Sequence, residues 1–166
     1  MKGKKNVHDW IEEKLLREVH NDAIIVKDHG PGEIADFVII EPKKFLISFL
    51  HCKGTRGGTP GDRVKDAYEV LGQACRTSQR ITKDLLNDLT TQTKPPRSSP
   101  YIRGDSTILE RLAIKIGSNK WKYRAVVVQP GFRCGDVARS KKINALLVAT
   151  YEWLSNASVD FRVWGS

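Results

Sequence analysis

The sequence predicts a mixed α/β fold, one central sheet flanked by helices, from three observations. Apolar and β-branched runs at 23–27, 34–40 and 45–53 succeed one another across short turns, the pattern of an antiparallel three-strand meander. Helical spacing of apolar residues precedes the meander and returns after it. Two further strand-like runs, at 123–129 and 159–164, are separated by helical spacing, which calls for a layer of helices against the sheet.

Taken in order, Val7, Ile11, Leu15 and Val19 recur every fourth residue, so a helix is expected over 7–20. Asp9, Glu13 and Arg17 face away from that stripe, and His8 and Glu12 lie on its flank. The first strand, 23–27, runs into Asp28-His29-Gly30-Pro31-Gly32, a strong turn. The second strand, 34–40, turns at Pro42-Lys43-Lys44 into the third, 45–53. A glycine-rich loop over 54–62 ends in Asp62, a good helix N-cap, and Val64, Ala67, Tyr68, Leu71, Ala74 and Cys75 then define one buried helical face. Weaker helical spacing continues over 81–89. The stretch 90–100 (TTQTKPPRSSP) reads as an exposed proline-rich loop or insertion. Helices are expected again at 106–116 and at 139–154, the latter with Ile143, Leu146, Leu147, Thr150, Trp153 and Leu154 on one side.

A chain of 166 residues with 40% hydrophobic and 28% charged residues suits a single globular domain over 1–166. The formal net charge of +9 favours a polyanionic partner through phosphate attraction and counterion release. Cys52, Cys75 and Cys134 stand far apart with no CxxC pair, which argues against structural zinc and for reduced thiols. No apolar run reaches membrane-spanning length, so a soluble cytoplasmic protein with no membrane partner is expected. The GKS/GKT signature of a nucleotide-binding P-loop is absent, and nothing arranges Ser-His-Asp or Cys-His chemistry.

The chemistry concentrates at the strand ends. Strand alternation puts Phe45, Ile47, Phe49, His51 and Lys53 on one face and Leu46, Ser48, Leu50 and Cys52 on the other. Asp36 sits in an apolar run on the neighbouring strand, in register to converge with His51 and Lys53. Phosphodiester hydrolysis needs oxygen or nitrogen ligands for a divalent ion and a cation near the attacking water. Asp36 and His51, with a backbone carbonyl, can serve as the ligands and Lys53 as the cation. His8, His20 and His29 read as surface residues.

The segments GEIADFVII, HCKG and RVKDAYEVLGQA, with VVVQPGF and FRVWGS nearer the C-terminal end, resemble the core of the PD-(D/E)XK nucleases, the restriction-endonuclease-like superfamily. That core carries an acid on one strand and acid-x-Lys on the next. Asp36 matches the first acid and Lys53 the lysine, while His51 stands where most members have Asp or Glu. The resemblance implies a restriction-endonuclease-like mixed central sheet, a three-strand meander plus two further strands. It also implies a deoxyribonuclease using Mg2+ or Mn2+ and acting on DNA, similar to domains found alone or beside helicases in bacterial mobile and defence loci. A compensating acid is then expected from the first helix. Glu12 is the candidate, because the superfamily often adds a helix-borne glutamate, and Glu33 is a weaker one. Gln73 resembles an accessory polar residue of several branches, although the helical wheel points it away from the apolar stripe. Arg56, Arg63 and Lys65, in and after the glycine-rich loop, are positioned in sequence to contact phosphates. Two alternatives share the fold: a catalytically inactive nucleic-acid-binding module, in which His51 records loss of cutting, and a homodimeric or larger defence complex to which the chain contributes a subunit.

Overall fold

A computed structural model describes residues 6–28, 33–54, 64–81, 85–92, 101–115, 121–132 and 141–165. In chain order the elements are α1 (Val7–Glu18), β1 (Ile24–Lys27), β2 (Phe37–Glu41), β3 (Leu46–Cys52), α2 (Val64–Arg80), α3 (Leu85–Gln92), β4 (Tyr101–Arg103), α4 (Ser106–Lys115), β5 (Lys122–Val128), α5 (Lys141–Asn156) and β6 (Val159–Trp164). The strands form one sheet in the order β4-β1-β2-β3-β5-β6. The mixed α/β sheet flanked by helices is therefore present.

β1, β2 and β3 pair antiparallel, as the short connections require, with Ile25 opposite Ile39 and Val38 opposite Phe49. A one-turn 3-10 helix, Pro42–Lys44, makes the β2–β3 reversal, and Phe45 closes it in the left-handed region at φ 48°. β5 then pairs parallel to β3, and β6 parallel to β5. Parallel neighbours cannot be joined by a tight turn, and helices occupy both of these connections. All of β3 is buried, the expected state of a central strand with helices over both faces.

α1 begins where the Asn6 side chain accepts the Asp9 N–H at 2.9 Å. Its far end is covered from the sheet edge: the Arg103 guanidinium donates to the carbonyls of Leu16, Val19 and His20, each at 2.9 Å. Leu16 lies in the last turn of α1, where carbonyls lack intrahelical partners, and Val19 and His20 follow it directly. Ile11 and Leu15 pack on Ile25, Phe37, Ile39, Leu50, Cys52, Val126 and Val128 on one sheet face. The opposite face is covered in two halves. Leu85, Leu86, Leu89 and Leu109 of α3 and α4 lie over β1, β2 and the first half of β3. Ala67, Val70, Leu71 and Ala74 of α2, with Ile143 and Leu154 of α5, lie over β5 and β6.

Several expectations need correction. The meander and the two later strands are joined by a sixth strand, β4, which pairs with β1 through Val26 and Tyr101 and is too short to register as a periodic run. β2 begins at Phe37, so Asp36 precedes the strand instead of sitting inside it. The stretch from Thr90 does not open as a loop: α3 continues through Gln92, and Thr90 is buried with its hydroxyl donating to the Leu86 carbonyl at 2.8 Å. The remainder of 90–100 lies outside the described residues, as does the expected N-cap Asp62. On α2 the buried line runs through Ala67, Val70, Leu71, Ala74 and Thr77, which turns Tyr68 out to 69% exposure. On α5, Trp153 is 53% exposed and lies outward across α2, its indole donating to Ser78 Oγ at 3.1 Å. Among the described residues no helix is long and apolar enough to cross a membrane.

Candidate functional site

The start of β2, the end of β3 and the end of β5 meet at one end of the sheet, because β2 runs against β3 and β3 runs with β5. The N-terminal turn of α1 reaches the same end. Asp36, His51 and Lys53 all belong there, yet their side chains are engaged in different directions.

Asp36 is almost fully buried at 8% exposure. One carboxylate oxygen, Oδ2, accepts the Cys52 N–H at 2.7 Å, and the other, Oδ1, accepts from His8 Nε2 at 3.0 Å. Burial would raise the carboxyl pKa, but the two hydrogen bonds and the nearby charges of His8 and His51 outweigh it and hold Asp36 below its ordinary value. The same bond raises His8 above its ordinary value, against the opposing effect of burial. His8 also stands against the Phe37 ring at 5.9 Å. The surface role expected for His8 is thus corrected, since the helix rolls this residue onto the buried acid.

His51, expected to turn toward Asp36, is directed to the other side of the sheet. Its Nε2 hydrogen-bonds Thr77 Oγ1 of α2 at 2.6 Å, and the residue is 3% exposed. Burial pushes its pKa down to about 4 against the pull of the Asp36 charge, so the imidazole is neutral at physiological pH. Lys53, one residue beyond β3, pairs through Nζ with Glu69 Oε1 of α2 at 2.5 Å and remains partly exposed. Its backbone N–H donates to the Val128 carbonyl at 2.9 Å, continuing the parallel ladder past the strand end.

Glu12 does not reach Asp36. Its carboxylate pairs with Lys27 Nζ at 2.9 Å, one helical turn beyond His8. Gln73 is half-buried on α2, and its backbone carbonyl accepts the Thr77 hydroxyl at 3.5 Å, behind the His51 contact. Lys65 is exposed at the start of α2, Glu33 is half-buried before β2, and Arg56 and Arg63 lie outside the described residues. One further polar group at this end escaped the sequence reading. Gln129 follows β5 directly, is 1% exposed, and its Oε1 has no hydrogen-bond partner among the described residues. A polar residue closing an otherwise apolar strand was the available signal.

The groups that surround Asp36 bear on which ion could be held there. A ring nitrogen of His8, a carboxylate oxygen of Asp36 and Cys52 Sγ lie within 4.8 Å of one another. This nitrogen, oxygen and sulfur set suits an ion that accepts softer donors, whereas Mg2+ requires a nearly all-oxygen shell. The expected set of Asp36, His51 and Glu12 is occupied otherwise, by Thr77 at His51 and by Lys27 at Glu12. No protein-family model, curated protein or solved structure matches the chain.

Proposed function

We propose that this protein is a metal-dependent nuclease acting on DNA, built on a restriction-endonuclease-like sheet. The observation that carries the reading is Asp36, a buried carboxylate held ionised at the same end of the sheet from which Lys53 emerges. A buried acid is costly unless its charge is used or paired, and here one of its oxygens faces a titratable, half-buried imidazole. Helix α1, the meander, α2, and then β5, α5 and β6 follow the order that the PD-(D/E)XK resemblance implies, with α3, β4 and α4 inserted between α2 and β5. The net charge of +9 supports a phosphate-rich partner.

A divalent ion bound at Asp36 would supply polarisation of the scissile phosphate and an acidified water. The chain's own contributions are separable from it. Asp36 provides fixed negative charge, oriented by the Cys52 N–H. Lys53 provides a mobile cation, and its partly exposed pair with Glu69 costs little to exchange for a phosphate oxygen. His51 has a packing role, against Thr77.

That last contact also favours a second reading, a nucleic-acid-binding module of the same fold in which the second-acid position has been given over to the core. The two separate on one assay. Supercoiled plasmid and short duplexes are incubated with the protein in Mg2+, Mn2+ or Co2+, beside Lys53→Ala and Asp36→Ala. Cleavage by the wild type that both variants lose supports the nuclease. Salt-sensitive DNA binding with no cleavage under any ion supports the binding module, and cleavage untouched by both substitutions removes the site from either account.

A further inference from the structure

The geometry points to a binding site for a borderline divalent transition metal, of the Zn2+ or Co2+ class, formed by a His8 ring nitrogen, an Asp36 carboxylate oxygen and Cys52 Sγ and discriminating against Mg2+. The inference rests on the nuclease reading for its purpose, and on the donor set alone for its chemistry.

Three elements deliver the donors: the first turn of α1, the residue before β2 and the last residue of β3. His8 Nε2 and Asp36 Oδ1 stand 3.0 Å apart. Two ligands with bonds of about 2.1 Å to one ion are separated by about 3.0 Å in octahedral and about 3.4 Å in tetrahedral geometry. The pair therefore fits an ion as it stands, with the imidazole proton giving way to the metal. The full set, within 4.8 Å, has to contract by about an ångström at its widest to reach tetrahedral spacing. His8 is half-buried at a helix terminus and is the donor able to make that adjustment.

The surroundings are those of supported ligands. The Cys52 N–H fixes Asp36 through Oδ2, and Phe37 lies against the His8 ring. Three protein donors leave a fourth position for water or a phosphate oxygen, the pattern of a reactive site and not of a closed structural one. Cys52 is the reluctant member, since burial and the Asp36 charge push its thiol far up and only a metal that binds sulfur well would displace the proton. Sulfur in the set is what selects against Mg2+. Glu12, the acid favoured from sequence, has no part in it.

The test uses the full chain, stripped of metal and titrated with Co2+ alone. Expected are visible d–d absorption and a near-ultraviolet thiolate-to-cobalt band, both abolished by Zn2+ and unaffected by excess Mg2+. His8→Gln and Asp36→Asn should weaken Co2+ binding at least about tenfold, with folding of each variant verified by circular dichroism. Cys52→Ser should remove the near-ultraviolet band while weaker d–d absorption persists, and Glu12→Gln should change neither signal. Absence of Co2+ and Zn2+ binding by calorimetry overturns the site, as does binding that folded His8→Gln retains in full, or wild-type binding without the thiolate band. The nuclease reading fails separately. Cobalt bound as described with no DNA cleavage under any ion leaves the metal site and removes the nuclease. Mg2+-driven cleavage by a protein that binds neither Co2+ nor Zn2+ does the reverse.

Discussion

Two imidazoles flank the end of β3, both near enough to Asp36 for their charges to interact with it, and they are tuned in opposite directions. On the α1 side His8 is half-buried, bonded directly to the carboxylate and raised. On the α2 side His51 is sealed against Thr77 and lowered to about 4. The residue type is the same, and the contrast comes from what each ring loses and gains. His51 gives up nearly all its water for a neutral hydroxyl partner, whereas His8 keeps part of its water and gains an anion. Alternation along β3 creates the division, because Cys52 faces α1 and His51 faces α2. His51 is packing against Thr77, and the imidazole that faces the Asp36 carboxylate comes from a helix.

The largest effect that would break this contrast comes from Asp36→Ala, which removes the anion shared by both sides. On the nuclease reading cleavage is expected to fall at least ~100-fold, and the buried Cys52 N–H loses its acceptor, for about 2 kcal/mol of stability. Plasmid cleavage and urea denaturation measure the two parts.

Next comes the acid limb set by His51. Its folded-state pKa of about 4 lies below the ordinary imidazole value of 6.5, so between these values the unfolded chain binds the extra proton and stability falls as pH falls. The interval corresponds to about 3 kcal/mol. Urea midpoints from pH 7 to 4 should show this loss in the wild type and a flatter limb in His51→Gln. Equal limbs in the two proteins would mean that His51 is not sealed.

His8 works with the opposite sign and a smaller amplitude. Its raised pKa gives stability that is fully present below the unfolded value and is lost as pH rises through the folded one. Melting temperatures between pH 6 and 9 should decline in the wild type and stay level in His8→Gln. The smallest effect on stability is expected from Lys53→Met, under about 1 kcal/mol, because the pair with Glu69 is partly exposed and screened. On the nuclease reading its cleavage should nevertheless be lost, which would separate a residue that acts from one that holds.

Where structure depends on local periodicity, the residues alone were enough. The α1 stripe through Ile11 and Leu15, the facing of β3 and the extent of β6 all follow from repeats of 3.6 or 2 residues. Departures arise where a neighbour decides. Tyr68 and Val70 compete for the inner face of α2, and packing against α5 and β5 selects Val70. Thr90 looks like loop composition but is buried once its hydroxyl bonds the preceding turn. β4 is three residues long and becomes a strand only because β1 has a free edge beside it.

The same division runs through the site. By itself the sequence determined that the acid at 36 and the lysine at 53 come to one end of the sheet, since a short-turn hairpin and strand alternation are local properties. Only the tertiary structure decided which partners they meet. His8 and Glu12 sit one turn apart on the same flank of α1, and no periodicity ranks one above the other. The roll of the helix, set by Ile11 and Leu15 in the sheet and by Arg103 at its end, brings His8 onto Asp36 and leaves Glu12 to Lys27. Contacts between residues 28 positions apart depend on how packed surfaces fit, and that fit is a property of the folded chain as a whole.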